Sequence, residues 1–235
     1  QRLITFTIFL TYMVILAGSV VRGTGSGLGC PDWPTCYGQS IPPVDISELP
    51  VDYKEIFHKS TGKVIADFDA YKTWTEYINR LLGAFLGVMV LWVFLRSFKY
   101  TDKETNLPWY CGALLLLVIL QGGVGALVVS THLKPYVITL HMLLAMALLF
   151  GLHYLSKYCH DLENFGINFK PDQKNLPITK LLIAMGLIQV FLGTQVREQV
   201  DHLMRDVQTA TAETVVGQLN WVFYVHRTFS LFLLG

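Results

Sequence analysis

From Leu3 to Arg22 the chain reads LITFTIFLTYMVILAGSVVR, with no charged side chain before the closing arginine. About 20 apolar residues carry a helix through a hydrocarbon core roughly 30 Å thick. A helix also satisfies its own backbone groups where no water can. Five further stretches repeat the pattern. They are Ile78 to Leu95, with Asn79 and Arg80 at its start; about Pro108 to Ser130; Tyr136 to Leu155; Ile178 to Val196; and one that begins near Trp221 and is still apolar at Gly235. The fold expected is all-α, a polytopic membrane helix bundle with six helices in this stretch. The sixth is too short to cross a bilayer, so the sequence is expected to continue beyond Gly235. The chain opens on Gln1-Arg2 without a starting Met, and residues are expected before it as well. No cleavable signal peptide is evident.

Composition agrees. Of the 235 residues, 52% are hydrophobic and 15% charged, and mean hydropathy is +0.44. A soluble domain carries more charge. A net charge of +1 gives no basic surface for phosphates, which argues against nucleic acid as a partner. Four cysteines are too few for a disulfide-built scaffold.

Basic residues in short loops set orientation. Arg96, Lys99 and Lys103 follow the second stretch, and Lys157, Lys170 and Lys174 follow the fourth. The third and fourth are joined by a turn with only Lys134. The basic loops and the N-terminus are therefore expected on the cytoplasmic side. The long loop 23–75, and the segment from Glu198 to Asn220, are expected on the outer side.

The chain also resembles itself. Gly18-Ser19-Val20-Val21-Arg22 and Gly193-Thr194-Gln195-Val196-Arg197 both fit G-x-x-V-R at the end of an outward-going helix. Asn79-Arg80 and His226-Arg227 then open the next helix in each case. Two matches in one order suggest two related four-helix halves, eight helices in the full chain. The expected division is 1–157 for the first half and 178–235 for the start of the second. A missing eighth helix should carry a histidine matching His141.

Of the histidines, His58 and His202 fall in outer loops, His132 in a short outer turn, and His153 and His160 near the inner face. Only His141 and His226 lie within the outer part of an apolar helix, at similar depth. Ionisable groups at membrane depth are functional candidates, and neutral imidazole suits an iron ligand. The plainer alternative is a hydrogen bond to a neighbouring helix. Glu76 precedes Asn79 by one helical turn. It could handle protons at a substrate, or simply be an exposed helix-start glutamate favoured by the helix dipole. Arg22, Arg80, Arg197 and Arg227 fall at the outer rim, as forks for carboxylates or as interfacial anchors. Cys30 and Cys36 flank Pro-Asp-Trp-Pro-Thr on the oxidising side, as a structural staple or a redox pair. Gly83 and Gly87 have the G-x-x-x-G spacing of close helix packing, which could also make room for a flat macrocycle.

Taken together, these motifs resemble the haem A synthases. The run Gly23-Thr24-Gly25-Ser26-Gly27-Leu28-Gly29-Cys30-Pro31-Asp32-Trp33-Pro34-Thr35-Cys36-Tyr37-Gly38 is similar to that family's first outer loop. Glu76-Tyr77-x-x-Arg80 is similar to its E-Y-x-H-R motif. Leu120-Gln121-Gly122, Gly125-Ala126-Leu127, Leu140-His141 and His226-Arg227 resemble its later helices. The resemblance implies eight helices in two halves and the oxidation of a haem O methyl group to the formyl group of haem A. It implies a haem b held by His226 and an eighth-helix histidine, and substrate haem O beside His141. It implies a catalytic role for Glu76 and a cysteine pair Cys30 and Cys36; Asn79, Arg80, Arg22, Arg197 and Arg227 are the further residues expected at the cofactor, the arginines at its propionates. A haem O synthase is the implied donor, and the electron partner is unidentified. One departure stands out: Asn79 occupies the family's histidine position, which leaves His141 as the single protein ligand expected there.

Two other classes fit part of the pattern. A membrane b-type cytochrome would use paired histidines for electron transfer alone. A thiol-oxidising membrane enzyme would use Cys30 and Cys36, but it needs a second reactive pair, and Cys111 and Cys159 lie on different helices towards the inner side.

Overall fold

A computed structural model describes residues 1–62, 64–100, 106–131, 133–163, 176–206 and 217–234. His132, Lys103, Lys170 and Lys174 lie outside the described residues. Helices α1 (Arg2–Gly23), α2 (Tyr53–Thr61), α3 (Ala70–Ser97), α4 (Leu107–Ser130) and α5 (Pro135–Glu163) are followed by α6 (Leu176–Asp206) and α7 (Trp221–Leu234). Five helices are long and apolar enough to cross a membrane: Arg2–Gly23, Ala70–Tyr100, Leu107–Ser130, Pro135–His160 and Lys180–Val200. The protein is a polytopic bundle of membrane helices. Its lateral surface suits lipid, with Phe9, Leu16, Leu116 and Ile119 all more than half exposed.

Every apolar stretch is a helix, but two helices begin or end well outside their stretch. The second starts at Ala70, not Ile78, because Asp69 caps it: its Oδ1 accepts the Lys72 N–H at 3.2 Å. At 1.5 Å per residue the 28-residue α3 is about 42 Å long, more than the hydrocarbon core requires. Its first turns therefore rise above the apolar span and can carry polar side chains. Helix α6 likewise runs on to Asp206, so position 202, read as loop, is helical. Helix α2 has no apolar run to announce it. It ends on Gly62 in the left-handed conformation at φ 68°, the usual glycine stop.

The chain divides into two compact units, Gln1–Gly166 and Ile167–Gly235. In the first, α1 packs on α3 and α5, and α4 on α3 and α5, closing a four-helix bundle. Its tight core joins Ile4 and Leu10 to Leu86, Met89, Val90 and Val93, Cys111 and Leu114, and Leu148, Leu152 and Leu155. These residues come from the start of α1, the second half of α3, the start of α4 and the second half of α5. The core therefore fills the end of the bundle away from the long loop. A Cβ at Gly83 or Gly87, near the middle of α3, or at Gly122 or Gly123, in the half of α4 towards the loop end, would meet nothing within 4 Å. The G-x-x-x-G spacing at Gly83 and Gly87 is thus not used for close helix contact. In the second unit α6 packs on α7.

Candidate functional site

The loop end of the first unit begins with a small covalent hub. Cys30 and Cys36 form a disulfide, with Cα atoms 4.9 Å apart, and both are essentially fully buried. Asp32 shapes the turn between them. Its carboxylate accepts the N–H groups of Tyr37 at 2.6 Å and Gly38 at 3.0 Å, and the Thr35 hydroxyl. Around this hub Leu49 and Tyr53 are buried, with Phe57, Ile65 and Phe68 packed against them. The Tyr37 ring meets those of Tyr53, Phe57 and Phe68 edge-on. Burial, aided by Tyr53, pushes the Tyr37 phenol up to about 12, so it stays neutral throughout the physiological range. The loop has its own small core, which Tyr77 of α3 joins from the helix side.

That hub is bolted to one face of α3. Thr73, Glu76 and Arg80 are spaced three and four residues apart and so share a face. Thr73 donates its hydroxyl to the Gly29 carbonyl at 2.9 Å. One oxygen of Glu76 accepts the Cys30 N–H at 3.0 Å and the other accepts Arg80 Nη2 at 2.6 Å. Arg80 Nη1 donates to the carbonyls of Asp32 at 2.9 Å and Thr35 at 3.0 Å. Trp74 and Tyr77 add bonds to the Pro43 and Ser40 carbonyls. Gly29 lies against the α3 backbone so closely that a Cβ there would sit 2.6 Å from the Lys72 carbonyl.

Glu76 is therefore no exposed helix-start residue. It is 3% exposed, almost two turns into α3, with a bond to each carboxylate oxygen. The guanidinium of Arg80 is likewise committed to the loop and to Glu76. The structure brings Cys30, Cys36, Glu76 and Arg80 into one cluster.

Asn79 faces α1, where a Cβ on Gly18 would lie 3.8 Å from its Oδ1. That oxygen is buried without a hydrogen-bond partner. His141 on α5 lies against Gly125 of α4, whose Cβ would stand 3.2 Å from the ring Cε1. Gln121 Nε2, one turn before Gly125, donates to the His141 carbonyl at 3.0 Å and lies 3.4 Å from the ring Nε2. Arg22 reaches the neighbouring residue, with Nη1 3.7 Å from Met142 Sδ. In the second unit His226 on α7 lies against Gly193 of α6, whose Cβ would stand 3.0 Å from Cε1. Arg227 stacks over Phe223 and Tyr224, 5.7 and 5.6 Å from the ring centroids. Arg197 is half-buried on α6. His153, by contrast, bonds the Leu149 carbonyl through Nδ1 at 2.9 Å and meets the Tyr12 ring edge-on, the ordinary condition of a helix histidine.

Sequence reading quoted Gln121 only within a motif, with no role of its own, and did not single out Gln189. The signal was available as Q-x-x-x-G, which ends at Gly125 and again at Gly193.

A half-buried helix histidine in each unit, each with Nδ1 buried and without a hydrogen-bond partner, fits a group that takes an imidazole nitrogen in an apolar surround. Among the described residues no three His, Cys, Asp or Glu side chains gather as they would around a chelated ion. Comparison with known proteins points the same way. Heme A synthase of Shewanella oneidensis is 33% identical over 141 residues, covering 60% of this chain and 40% of that protein. Heme A synthase of Nitrosospira multiformis is 28% identical over 198 residues, covering 78% and 54%. That of Orientia tsutsugamushi is 34% identical over 161 residues, covering 61% and 43%. The chain spans about half the length of the curated relatives it matches. No solved structure matches it. The family model described as COX15-CtaA, cytochrome oxidase assembly protein, matches residues 1–235 throughout, and the chain belongs to that family.

Proposed function

We propose that the protein is a haem A synthase that oxidises the C8 methyl group of haem O to a formyl group, supplying haem A to terminal oxidases. The observation that carries this reading is the pair of half-buried, glycine-backed histidines, His141 and His226, each with a buried Nδ1 free of hydrogen bonds in an apolar helix pair. The names of the relatives support it.

In this reading His141 stands beside the substrate haem O in the first half (1–157). His226 would hold a haem b in the second half, which begins at 178. A bound haem b supplies one-electron chemistry, and the protein supplies position and surroundings. The open faces at Gly83, Gly87, Gly122 and Gly123 lie between the middle of the bundle and its loop end, where the planar substrate would enter. Hydroxylating the methyl carbon twice and dehydrating the resulting diol to the aldehyde is a four-electron oxidation, so it takes dioxygen with a reductant, or water with an electron acceptor, as co-reactant. Asn79 is an amide, a poor iron ligand, so the substrate iron has one protein ligand, His141. Arg22, beside Met142, and Arg197 and Arg227 in the second half would meet propionates. Arg80 serves the loop instead.

The geometry supports a particular part for Glu76. It holds the disulfide loop on α3 and so roofs the first-half site. Any proton it moves must leave a carboxylate already bonded to Arg80 and Cys30. The Cys30–Cys36 pair, fully buried beneath this roof, is a structural staple in this reading. The loop side is the outer face of the cytoplasmic membrane and the N-terminus is cytoplasmic. Haem O synthase is the donor in this reading, and the electron partner is unidentified.

The test is haem retention by the full-length protein. His226→Ala is expected to lose the haem b spectrum, and His141→Ala to lose bound haem O while keeping haem b. If both variants retain haem as the wild type does, the histidines are structural and the reading fails.

A further inference from the structure

The helix pairs that carry histidines share a device. On α4, Gln121 stands one turn before Gly125; on α6, Gln189 stands one turn before Gly193. In each case the glutamine Nε2 donates across to the backbone carbonyl of the facing histidine, at 3.0 Å for His141 and 3.1 Å for His226. In each case the glycine lies against the imidazole, and a Cβ there would crowd the ring Cε1 at 3.2 Å for Gly125 and 3.0 Å for Gly193. Gln189 also bonds the Ser230 hydroxyl, which itself donates to the His226 carbonyl at 2.8 Å. The same two atoms are left buried and unpartnered in both pairs: the glutamine Oε1 and the histidine Nδ1.

The pair α1 and α3 is the control built into the chain. Gly18 faces Asn79 there, and the position one turn before Gly18 is Val14. Where the histidine is replaced by asparagine, the glutamine is gone as well. A glutamine kept only to tie helices together would have no reason to follow the histidine.

Buried polar atoms find partners, and an exception calls for an explanation. A neutral imidazole has one nitrogen to give to iron, and the other then carries a hydrogen. Metal-bound histidines almost always donate that N–H to an acceptor, which fixes the tautomer and the ring plane. An amide oxygen is such an acceptor, and the amide N–H on the backbone carbonyl fixes which end of the amide is offered.

We propose that Gln121 and Gln189 are positioning residues for His141 and His226. At His226 the amide anchors its N–H on the histidine's own carbonyl and offers its buried oxygen to the imidazole N–H of the iron-bound ring; at His141 the amide nitrogen also stands 3.4 Å from the ring Nε2, so the oxygen reaches that ring's N–H once the amide turns about its anchored N–H. This rests on the haem reading above.

The experiment compares full-length wild type, Gln189→Leu and Gln189→Glu by haem retention, by the reduction potential of the haem b and by its low-temperature EPR g values. Gln189→Leu removes the acceptor. It is expected to weaken haem retention about tenfold or more and to raise the potential. Gln189→Glu keeps an acceptor and strengthens it, so it is expected to retain haem and to lower the potential. Opposite shifts from the two variants are not produced by loosened packing. Wild-type potential and g values in both variants would overturn the proposal. A wild type that binds no haem, or a His226→Ala that keeps the haem b spectrum, would overturn the haem reading itself and the proposal with it.

Discussion

Replacing Glu76 with alanine is expected to release the disulfide loop from α3 and to cost about 3–5 kcal/mol of stability, the usual penalty for leaving one member of a buried ion pair alone. Two bonds are lost, to the Cys30 N–H and to Arg80. Arg80 then keeps its loop carbonyls but loses its counter-charge, with its side chain only 14% exposed. Hydrogen–deuterium exchange across 24–69, with thermal unfolding in detergent, reads this directly. Released disulfide cysteines should also become reactive to alkylation after milder reduction. Glu76→Gln separates holding from proton handling. Its amide oxygen can still accept the Cys30 N–H, but its NH2 group would face the Arg80 guanidinium, so an intermediate loss of stability is expected. If Glu76→Gln leaves the loop protected and abolishes turnover, Glu76 acts on protons. If activity falls in step with protection, it acts by holding the roof.

The second large effect belongs to Gly29→Ala. The neighbours a Cβ would strike are backbone: the carbonyl carbon and oxygen of Lys72 at 2.6 Å and the Thr73 nitrogen at 2.8 Å. A side chain can swing aside, whereas a helix backbone held by its own hydrogen bonds cannot. The loop must therefore lift, stretching Thr73 from the Gly29 carbonyl and Glu76 from Cys30. Overpacking of this kind costs about 1–3 kcal/mol or more. Gly27→Ala is the comparison, because its Cβ would meet only Leu133 methyls at 3.3 Å and beyond, which can give. Thermal unfolding in detergent should show a marked loss for Gly29→Ala and a slight one for Gly27→Ala. Equal behaviour of the two would mean that the loop does not sit on α3 as described.

The bundle was legible in the sequence because lipid imposes one requirement, length without charge, and each apolar run meets it or begins to. What lay beyond those runs was harder to read. The first turns of α3 and the last of α6 are helix without being apolar, and α2 is a polar helix in a loop. The candidate residues divide in the same way. His141 and His226 stood out because imidazole is rare at such depth. The bonds of Glu76 and Arg80 did not, because their loop partners lie more than forty residues away in sequence. Spacing along α3 showed that Glu76 and Asn79 share one side of the helix, but not that Glu76 meets the loop while Asn79 meets Gly18. The glutamines were visible only as a repeated spacing, whose meaning needs the facing helix.

The central claim is oxidation of haem, and the most direct measurement is the haem content of the full-length protein purified after co-expression with a haem O source. Haems are extracted, separated by chromatography and identified by mass. The account predicts haem A, or its hydroxylated precursor, together with haem B, and loss of the oxidised species in Glu76→Ala. Haem B alone, with no oxidised product under any condition, would contradict it and leave an electron-carrying cytochrome in its place.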